Sequence, residues 1–185
     1  LMSPYQFNPL NFNPLRRVLE DSVDVDAIRK SRCSIKLHIC ATNVRTGKVK
    51  VFDNDAISID AIMASACLPF LFQAVEIDGE AFWDGGYMGN PAIFPLIYSS
   101  ASPDVLIVHI NPIEREEVPK TATEILNRIN EISFNSSLLR ELRAINFAQR
   151  LIEDGAVGES ALKRVFVHMI ADDKLMREMS VATKM

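Results

Sequence analysis

A chain of 185 residues with 48% hydrophobic and 24% charged side chains has the composition of a folded globular protein, which excludes the disordered and collagen-like classes. The net charge of -4 offers no basic surface to phosphates, so nucleic-acid binding is excluded as the main role. The longest apolar runs, 105–110 and 165–170, are too short to span a bilayer.

The chain opens with a turn-rich segment that is followed by short helices. Asn-Pro steps recur through residues 3–15, and asparagine before proline is disfavoured in helices, so we expect an extended lead-in. Short helices are predicted over 16–20 and 25–30, and Asp24 or Asp26 is suited to cap the second one.

Two β-hairpins and a short helix are predicted next. Apolar and polar residues alternate over 34–43 and again over 49–51, with a glycine turn between them. A helical run over 59–66 follows, and Ser58 directly precedes it as a helix-start residue. The second hairpin turns at Asp78-Gly79, a dipeptide typical of two-residue hairpin loops.

The second half is predicted to contain a strand, a long helix and another strand. The runs 105–110 and 165–170 are nearly continuously apolar, as in a parallel sheet that is covered on both faces. The helix spans about 121–154, because Thr121 and Glu124 have the spacing of a capping box and Gly155 lies where a glycine often ends a helix. Residues 134–137 interrupt its apolar pattern, so the segment could form either one continuous helix or two. Its apolar stripe consists of Ile125, Ile129, Ile132, Leu139 and Leu142.

These elements together predict the fold class. A strand, a helix and a strand in this order form a crossover between parallel strands. We therefore expect an α/β fold: a layered sheet with mostly parallel strands, helices on both faces and a β-hairpin.

The seven glycines allow every glycine-dependent motif to be tested. A GxSxG nucleophile elbow requires a serine between two glycines four residues apart, and the pair with that spacing, Gly85 and Gly89, encloses Tyr87. The spacings also exclude GxGxxG and GxxxxGK phosphate loops. No HExxH or other metal-ligand spacing is present, so we expect neither a metal nor a cofactor.

The histidines and cysteines are interpreted as structural residues. His38, His109 and His168 each lie in an apolar strand pattern, where a histidine bonded to a neighbour is more common than a catalytic one. Cys67 has no histidine tied to it by sequence, so a small buried side chain is favoured over a thiol nucleophile. The absence of CxxC spacing indicates a reducing compartment, and we expect a cytoplasmic protein, in solution or peripheral to a membrane. The cysteines are Cys33, Cys40 and Cys67.

Asp84 is the strongest candidate for chemistry. It follows the strand end Phe82-Trp83 and precedes Gly85-Gly86, so its carboxylate is presented at a tight turn beside backbone that carries no side chains. This placement suits a group that meets a reactive partner closely. Spacing alone favours the alternative, in which Asp84 only accepts hydrogen bonds from nearby backbone N–H groups in an Asx turn.

The surroundings of Asp84 resemble a known family. The similarity to the second signature block of bacterial patatin-like phospholipases lies in residues 64–69, 77–79, 83–87 and 90–91. Further similar segments, which extend the resemblance over nearly the whole chain, are 3–5, 41–43, 111–115 and 130–134.

The resemblance implies a phospholipase A-like acyl hydrolase that acts on a lipid or acyl-ester substrate in lipid degradation. In that family the serine of a GxSxG elbow attacks the ester carbonyl, and the aspartate of an Asp-Gly-Gly motif accepts the serine proton. The matching aspartate here is Asp84, and Gly85 and Gly86 support the motif. An aspartate is ionised near pH 7 but is a weak base for a hydroxyl, so positioning and an oxyanion hole must supply much of the rate.

The chain departs from the family pattern at its start, Leu1. The oxyanion loop and the GxSxG elbow, which lie upstream in the family, are missing from the sequence. We therefore expect residues 1–185 to be the middle and C-terminal part of one patatin-like domain, an incomplete domain whose partner is the missing N-terminal part of the same polypeptide. The chain alone is expected to be inactive. The alternative is a non-catalytic patatin-like binding or scaffold protein, which would lack the upstream GxSxG motif.

Overall fold

The chain forms two compact units, Leu1–Pro91 and Ala92–Met185, and each has its own cluster of buried side chains. The computed structural model describes residues 2–30, 35–158, 162–172 and 176. Cys33 and the first residue of the predicted strand 34–43 lie outside the described residues.

Three short helices open the first unit. They are α1 (Pro4–Phe7), α2 (Pro14–Ser22) and α3 (Val25–Lys30). The carboxylate of Asp24 accepts a 2.8 Å hydrogen bond from the N–H of Ala27, which confirms the predicted cap of α3. The lead-in contains a helical turn because the side chain of Gln6 accepts a 2.9 Å hydrogen bond from the N–H of Ser3. The lead-in was predicted to be extended and rich in turns, and the structure adds one helical turn, α1, to it.

A four-stranded antiparallel sheet forms the centre of the first unit. Its strands are β1 (Ile39–Asn43), β2 (Val49–Phe52), β3 (Val75–Ile77) and β4 (Glu80–Asp84), in the order β2-β1-β4-β3. Both predicted hairpins are confirmed, and the second turns at Asp78 and Gly79 with φ angles of 53° and 78°. Because β1 also pairs antiparallel with β4, the prediction of mostly parallel strands is wrong for this sheet.

Helix α4 (Ile59–Ser65) packs against this sheet. The Oγ of Ser58 accepts a 3.0 Å hydrogen bond from the N–H of Ala61, which fixes the start of the helix. Small side chains let the helix approach the strands closely, so the core consists of Ala41, Phe52, Ala61, Ala64 and Phe82. The predicted helix over 59–66 is confirmed to within one residue.

The second unit is built around a crossover between two parallel strands. Its elements are α5 (Phe94–Ser99), β5 (Asp104–His109), α6 (Ala122–Glu153) and β6 (Phe166–Ala171). The register runs from Asp104 opposite Phe166 to His109 opposite Ala171. The predicted strand, helix and strand are confirmed, and the chain as a whole is a mixed α/β structure.

Helix α6 is continuous over its 32 residues. The side chains of Thr121 and Glu124 form the predicted capping box, and Gly155 follows the helix with a φ of 68°. Residues 134–137 do not divide the helix, because Asn135 and Ser137 are buried on its inner face.

The buried face of α6 is not the predicted apolar stripe. Four members of that stripe are between 36% and 56% exposed, namely Ile125, Ile129, Ile132 and Leu139. The inner face instead carries Asn127, Glu131, Asn135 and Leu138. Hydrophobicity alone could not predict this face, since polar side chains enter it through tertiary hydrogen bonds and ion pairs.

One face of β5 is exposed. Val105 and Ile107 pack into the core with Leu138 and Val165, whereas Leu106 and Val108 are 60% and 67% exposed. The prediction that these strands are covered on both faces, with helices on both sides, is therefore wrong for the described residues. Their apolar runs reflect a sheet that buries one face and leaves the other open.

Candidate active site

The backbone of Asp84 is fixed from two sides at the end of β4. Its N–H donates a 2.9 Å hydrogen bond to the carbonyl of Cys67, in the segment after α4. Its own carbonyl accepts a 2.8 Å hydrogen bond from Oγ1 of Thr42, in the neighbouring strand β1. The position of the carboxylate is therefore set by the sheet and by α4 rather than by a mobile loop.

The carboxylate of Asp84 makes one hydrogen bond to the following turn. Residues Gly85–Tyr87 form a single turn of 3₁₀ helix, and the N–H of Gly86 donates a 2.7 Å hydrogen bond to Oδ1 of Asp84. This is the Asx-turn contact that the spacing favours. This contact uses Oδ1, and the second oxygen, Oδ2, takes no part in it.

The turn after Asp84 lies so close to the backbone of β1 that only glycine fits at position 85. A Cβ atom at this position would lie 2.0 Å from the carbonyl oxygen of Cys40 in β1. No side chain other than hydrogen fits there unless the strand moves. The glycine thus allows the turn after Asp84 to pack directly against β1.

Burial raises the pKa of Asp84 above its ordinary value, and the hydrogen bond from Gly86 opposes that shift. The carboxylate is therefore a stronger base than an aspartate in water. Burial, followed by the negative charge of Asp84, also raises the pKa of the Tyr87 phenol. The raised pKa means that the Asp84 carboxylate holds a proton more tightly, and the raised pKa of Tyr87 favours its neutral phenol.

An apolar cavity of about 660 Å³ lies in the first unit beside the Asp84 turn. It is bordered by Trp83 and Tyr87, which flank that turn in the chain, and by Phe70, Pro4 and Met88. No charged side chain is among the described residues that border it. Ligand sites commonly have volumes of about 300–1,000 Å³ with mostly apolar walls, so this cavity is of the size and character that a ligand needs.

The sequence of this region matches a family model. The model is that of the patatin-like phospholipases, and the match covers residues 6–97. Residues 6–97 are therefore similar to this family and are called the patatin-like region below. The patatin-like region includes Asp84 and all four strands of the antiparallel sheet. No curated protein matches the chain.

The histidines of the second unit have partners of their own. Nε2 of His109 lies 2.9 Å from Oδ1 of Asn135, and Nε2 of His168 lies 2.9 Å from Oδ1 of Asp104. The prediction of strand histidines bonded to a neighbour is confirmed for these two. His38 directly precedes β1 in the patatin-like region.

Cys67 is buried, as predicted. Its side chain donates a 3.1 Å hydrogen bond to the carbonyl of Gln73, and only 1% of the residue is exposed. Burial, with a further contribution from the charge of Asp84, raises the pKa of its thiol to about 11. A neutral thiol is a poor nucleophile, which agrees with a structural role for this cysteine.

The described residues contain neither a membrane-spanning helix nor a metal-binding cluster. None of the described helices combines the length and the apolar content that crossing a membrane requires. Over the same part of the chain, no three histidine, cysteine or acidic side chains are grouped so as to hold a metal ion.

The sequence did not indicate which residues hold Asp84 in place. Thr42 and Cys67 lie 42 and 17 positions before Asp84 in the patatin-like region, and they reach it only through strand pairing and the packing of α4. Trp83 and Tyr87 carried a weak signal, because both are aromatic neighbours of the Asp-Gly-Gly motif.

Proposed function

We propose that the chain is part of a lipid acyl hydrolase in which Asp84 is the base of a Ser-Asp dyad. The observation that carries this proposal is that Gly86 holds only Oδ1 of a partly buried carboxylate, at 2.7 Å, so the turn contact does not use Oδ2. A purely structural aspartate in an Asx turn has no need of burial that raises its pKa.

The nucleophile is a serine upstream of Leu1 in a longer parent polypeptide. Residues 1–185 then form the middle and C-terminal part of one patatin-like domain, and the upstream part is its partner. The parent is a cytoplasmic protein of lipid degradation that contacts membranes peripherally to reach its substrate.

In the reaction, Oδ2 of Asp84 accepts the proton of the serine hydroxyl as the serine oxygen attacks the ester carbonyl. The tetrahedral intermediate collapses to an acyl-serine, and the departing alcohol takes the proton from Asp84. A water molecule then attacks the acyl-serine, with Asp84 again accepting and returning the proton. Oxyanion donors must come from the upstream part, and each such donor is typically worth about 100-fold to 1,000-fold in rate.

Labelling with a fluorophosphonate tests whether the parent supplies a serine. We expect the native polypeptide to have an intact mass above 20.7 kDa, to contain GxSxG and to be labelled at that serine, whereas the 185-residue chain alone is neither labelled nor active on p-nitrophenyl esters. A native polypeptide without a GxSxG motif would contradict the proposal and favour a non-catalytic binding or scaffold protein.

A further inference from the structure

The outer side of α6 carries a continuous exposed stripe. Each residue of an α-helix is rotated by about 100° from the one before, so residues spaced three or four apart share one side. The positions that fall within about a quarter of the circumference here are 125, 129, 132, 136, 139, 143, 147 and 150. All are exposed except the half-buried Ser136. We call these eight positions the outer stripe.

The two halves of the outer stripe differ in chemistry. The side chains of the first half are mostly apolar, namely Ile125, Ile129, Ile132 and Leu139. Those of the second half are cationic and aromatic, namely Arg143, Phe147 and Arg150. No acidic residue stands at any of the eight positions. One side of a single helix therefore offers hydrocarbon toward its start and guanidinium groups toward its end.

The apolar half of the outer stripe is not explained by the folding of the second unit. Leu138, on the inner face of α6, packs into the core with Val105 and Ile107. Exposed isoleucine adds nothing to helix stability that a lysine or glutamate would not, because its helix propensity is lower. A run of exposed apolar side chains along about 10 Å of helix, from Ile125 to Ile132, is typical of a surface that binds a partner.

The charges of the outer stripe select the kind of partner. In a parallel pair of two copies, the arginines of one stripe would meet those of the other and repel them. In an antiparallel pair, Arg143 would lie against Ile132 and lose its water without gaining an anion. An anionic bilayer offers hydrocarbon and phosphate next to each other, so it complements both halves of the stripe.

From this arrangement we infer that the outer stripe of α6 is a docking surface for an anionic lipid bilayer. The helix lies along the membrane with its first half deeper, so that the isoleucines enter the boundary between headgroups and acyl chains. Arg143 and Arg150 contact lipid phosphates, and Phe147 lies between them at the interface. The inference rests on the proposed function insofar as it names the surface for the peripheral membrane contact.

The experiment measures flotation of the 185-residue chain with lipid vesicles in a density gradient, which separates bound protein from any aggregate. One set of vesicles is phosphatidylcholine alone, and the other contains about one third phosphatidylglycerol, an anionic lipid. We expect binding to the anionic vesicles to be at least about tenfold tighter. Equal binding to the two sets, or no binding to the anionic one, would overturn the inference.

A matched pair of arginine variants tests the cationic half of the stripe. Arg143→Gln removes one positive charge from the outer stripe, and Arg17→Gln removes one from an exposed position of α2. Arg143→Gln should weaken binding to the anionic vesicles about fivefold, whereas Arg17→Gln should leave it unchanged. Equal weakening by the two variants would reduce the effect to net charge and overturn the inference.

A second pair tests the apolar half. Ile129 is 56% exposed on the stripe, and Val18 is 58% exposed on α2, so neither change to glutamine should unfold the protein. Ile129→Gln should weaken vesicle binding about tenfold, and Val18→Gln should not. If Ile129→Gln instead dissociated a dimer and left vesicle binding intact, the stripe would belong to a second copy and the inference would be overturned.

Docking and hydrolysis can be separated in the parent polypeptide. Arg143→Gln should keep the hydrolysis of a water-soluble p-nitrophenyl ester, and Asp84→Asn should keep the binding of anionic vesicles. Failure of vesicle binding would overturn the docking surface and leave the proposed role of Asp84 standing. A parent that binds the vesicles but hydrolyses no ester would support the docking surface and contradict the dyad.

Discussion

The N–H of Gly86 donates a 2.7 Å hydrogen bond to Oδ1 of Asp84, so the turn uses only one oxygen of a partly buried carboxylate. This contact serves both roles that the sequence left open. It is the hydrogen bond of an Asx turn, and it also fixes the direction of the second oxygen. A base that must act on a hydroxyl without a histidine depends on such fixed geometry.

The first prediction concerns pH and stability. Burial raises the pKa of Asp84 above 3.8, so the folded protein binds this proton more tightly than the unfolded chain. By linkage, this group makes the wild type less stable as pH rises through the interval above 3.8. Asp84→Asn removes the titration. The melting temperature of Asp84→Asn, relative to that of the wild type, should therefore rise between about pH 4 and about pH 7. Near pH 3 the variant should have no such advantage.

The control for this measurement is Asp78→Asn. Asp78 is exposed in a hairpin turn with a φ of 53°, a conformation that asparagine tolerates well. The control should show no such dependence on pH. If instead the wild type became more stable than Asp84→Asn as pH rises, the pKa of Asp84 would be lowered in the folded protein. The hydrogen bond from Gly86 would then have a larger effect on this pKa than burial.

The second prediction concerns the close approach at Gly85. In Gly85→Ala the new Cβ would lie 2.0 Å from the carbonyl oxygen of Cys40, so β1 and the turn must separate. We expect a loss of at least about 2 kcal/mol in the free energy of unfolding, measured with urea. Gly47→Ala, at a φ of 66° with no atom within 4 Å of the added Cβ, should cost only about 1 kcal/mol. Equal losses of unfolding free energy in the two variants would mean that β1 moves away from the added Cβ at little cost.

The third prediction concerns the reactivity of Cys67. With a thiol pKa of about 11, its thiolate fraction near pH 8 is about one in a thousand. Cys67 should therefore stay unmodified by iodoacetamide in the folded protein and react readily in urea, as mass spectrometry of its peptide would show. Rapid modification of the folded protein would contradict the burial of this side chain.

The fourth prediction concerns an ion-pair cluster in the second unit. The carboxylate of Glu131 accepts a 2.9 Å hydrogen bond from Nε of Arg115 and a 3.2 Å hydrogen bond from Arg128, and its side chain is only 8% exposed. Glu131→Ala leaves two guanidinium groups without their anion and should destabilise the protein by about 3 kcal/mol. Glu153→Ala, the same change at an exposed position of α6, should have little effect. Similar melting temperatures for both variants would contradict a stabilising role for the ion pairs of Glu131.

Local patterns predicted the elements well. The hairpin turn at Asp78-Gly79, the cap at Ser58 and the capping box at Thr121 each depend on residues that are adjacent in sequence, and each is present in the structure. Strand direction and face coverage depend on partners that are distant in sequence. The antiparallel β1-β4 pair and the open face of β5 were therefore not predictable from periodicity.

The candidate site could be predicted only in part. Asp84 and its glycines followed from the motif, and the Asx-turn contact followed from spacing. The hydrogen bond from Thr42 and the cavity beside Trp83 arise where β1, β4 and α1 come together. These elements are distant in sequence, so no local pattern predicts their contact.

The most direct test of the account is the hydrolysis of a p-nitrophenyl acyl ester by the full-length parent that carries Asp84→Asn. The amide preserves size and the turn but cannot accept the serine proton, so kcat/KM should fall about a thousandfold while the variant stays folded. Asp78→Asn should retain the activity of the wild type. Undiminished hydrolysis by Asp84→Asn would contradict the account and leave Asp84 as a residue of the turn alone.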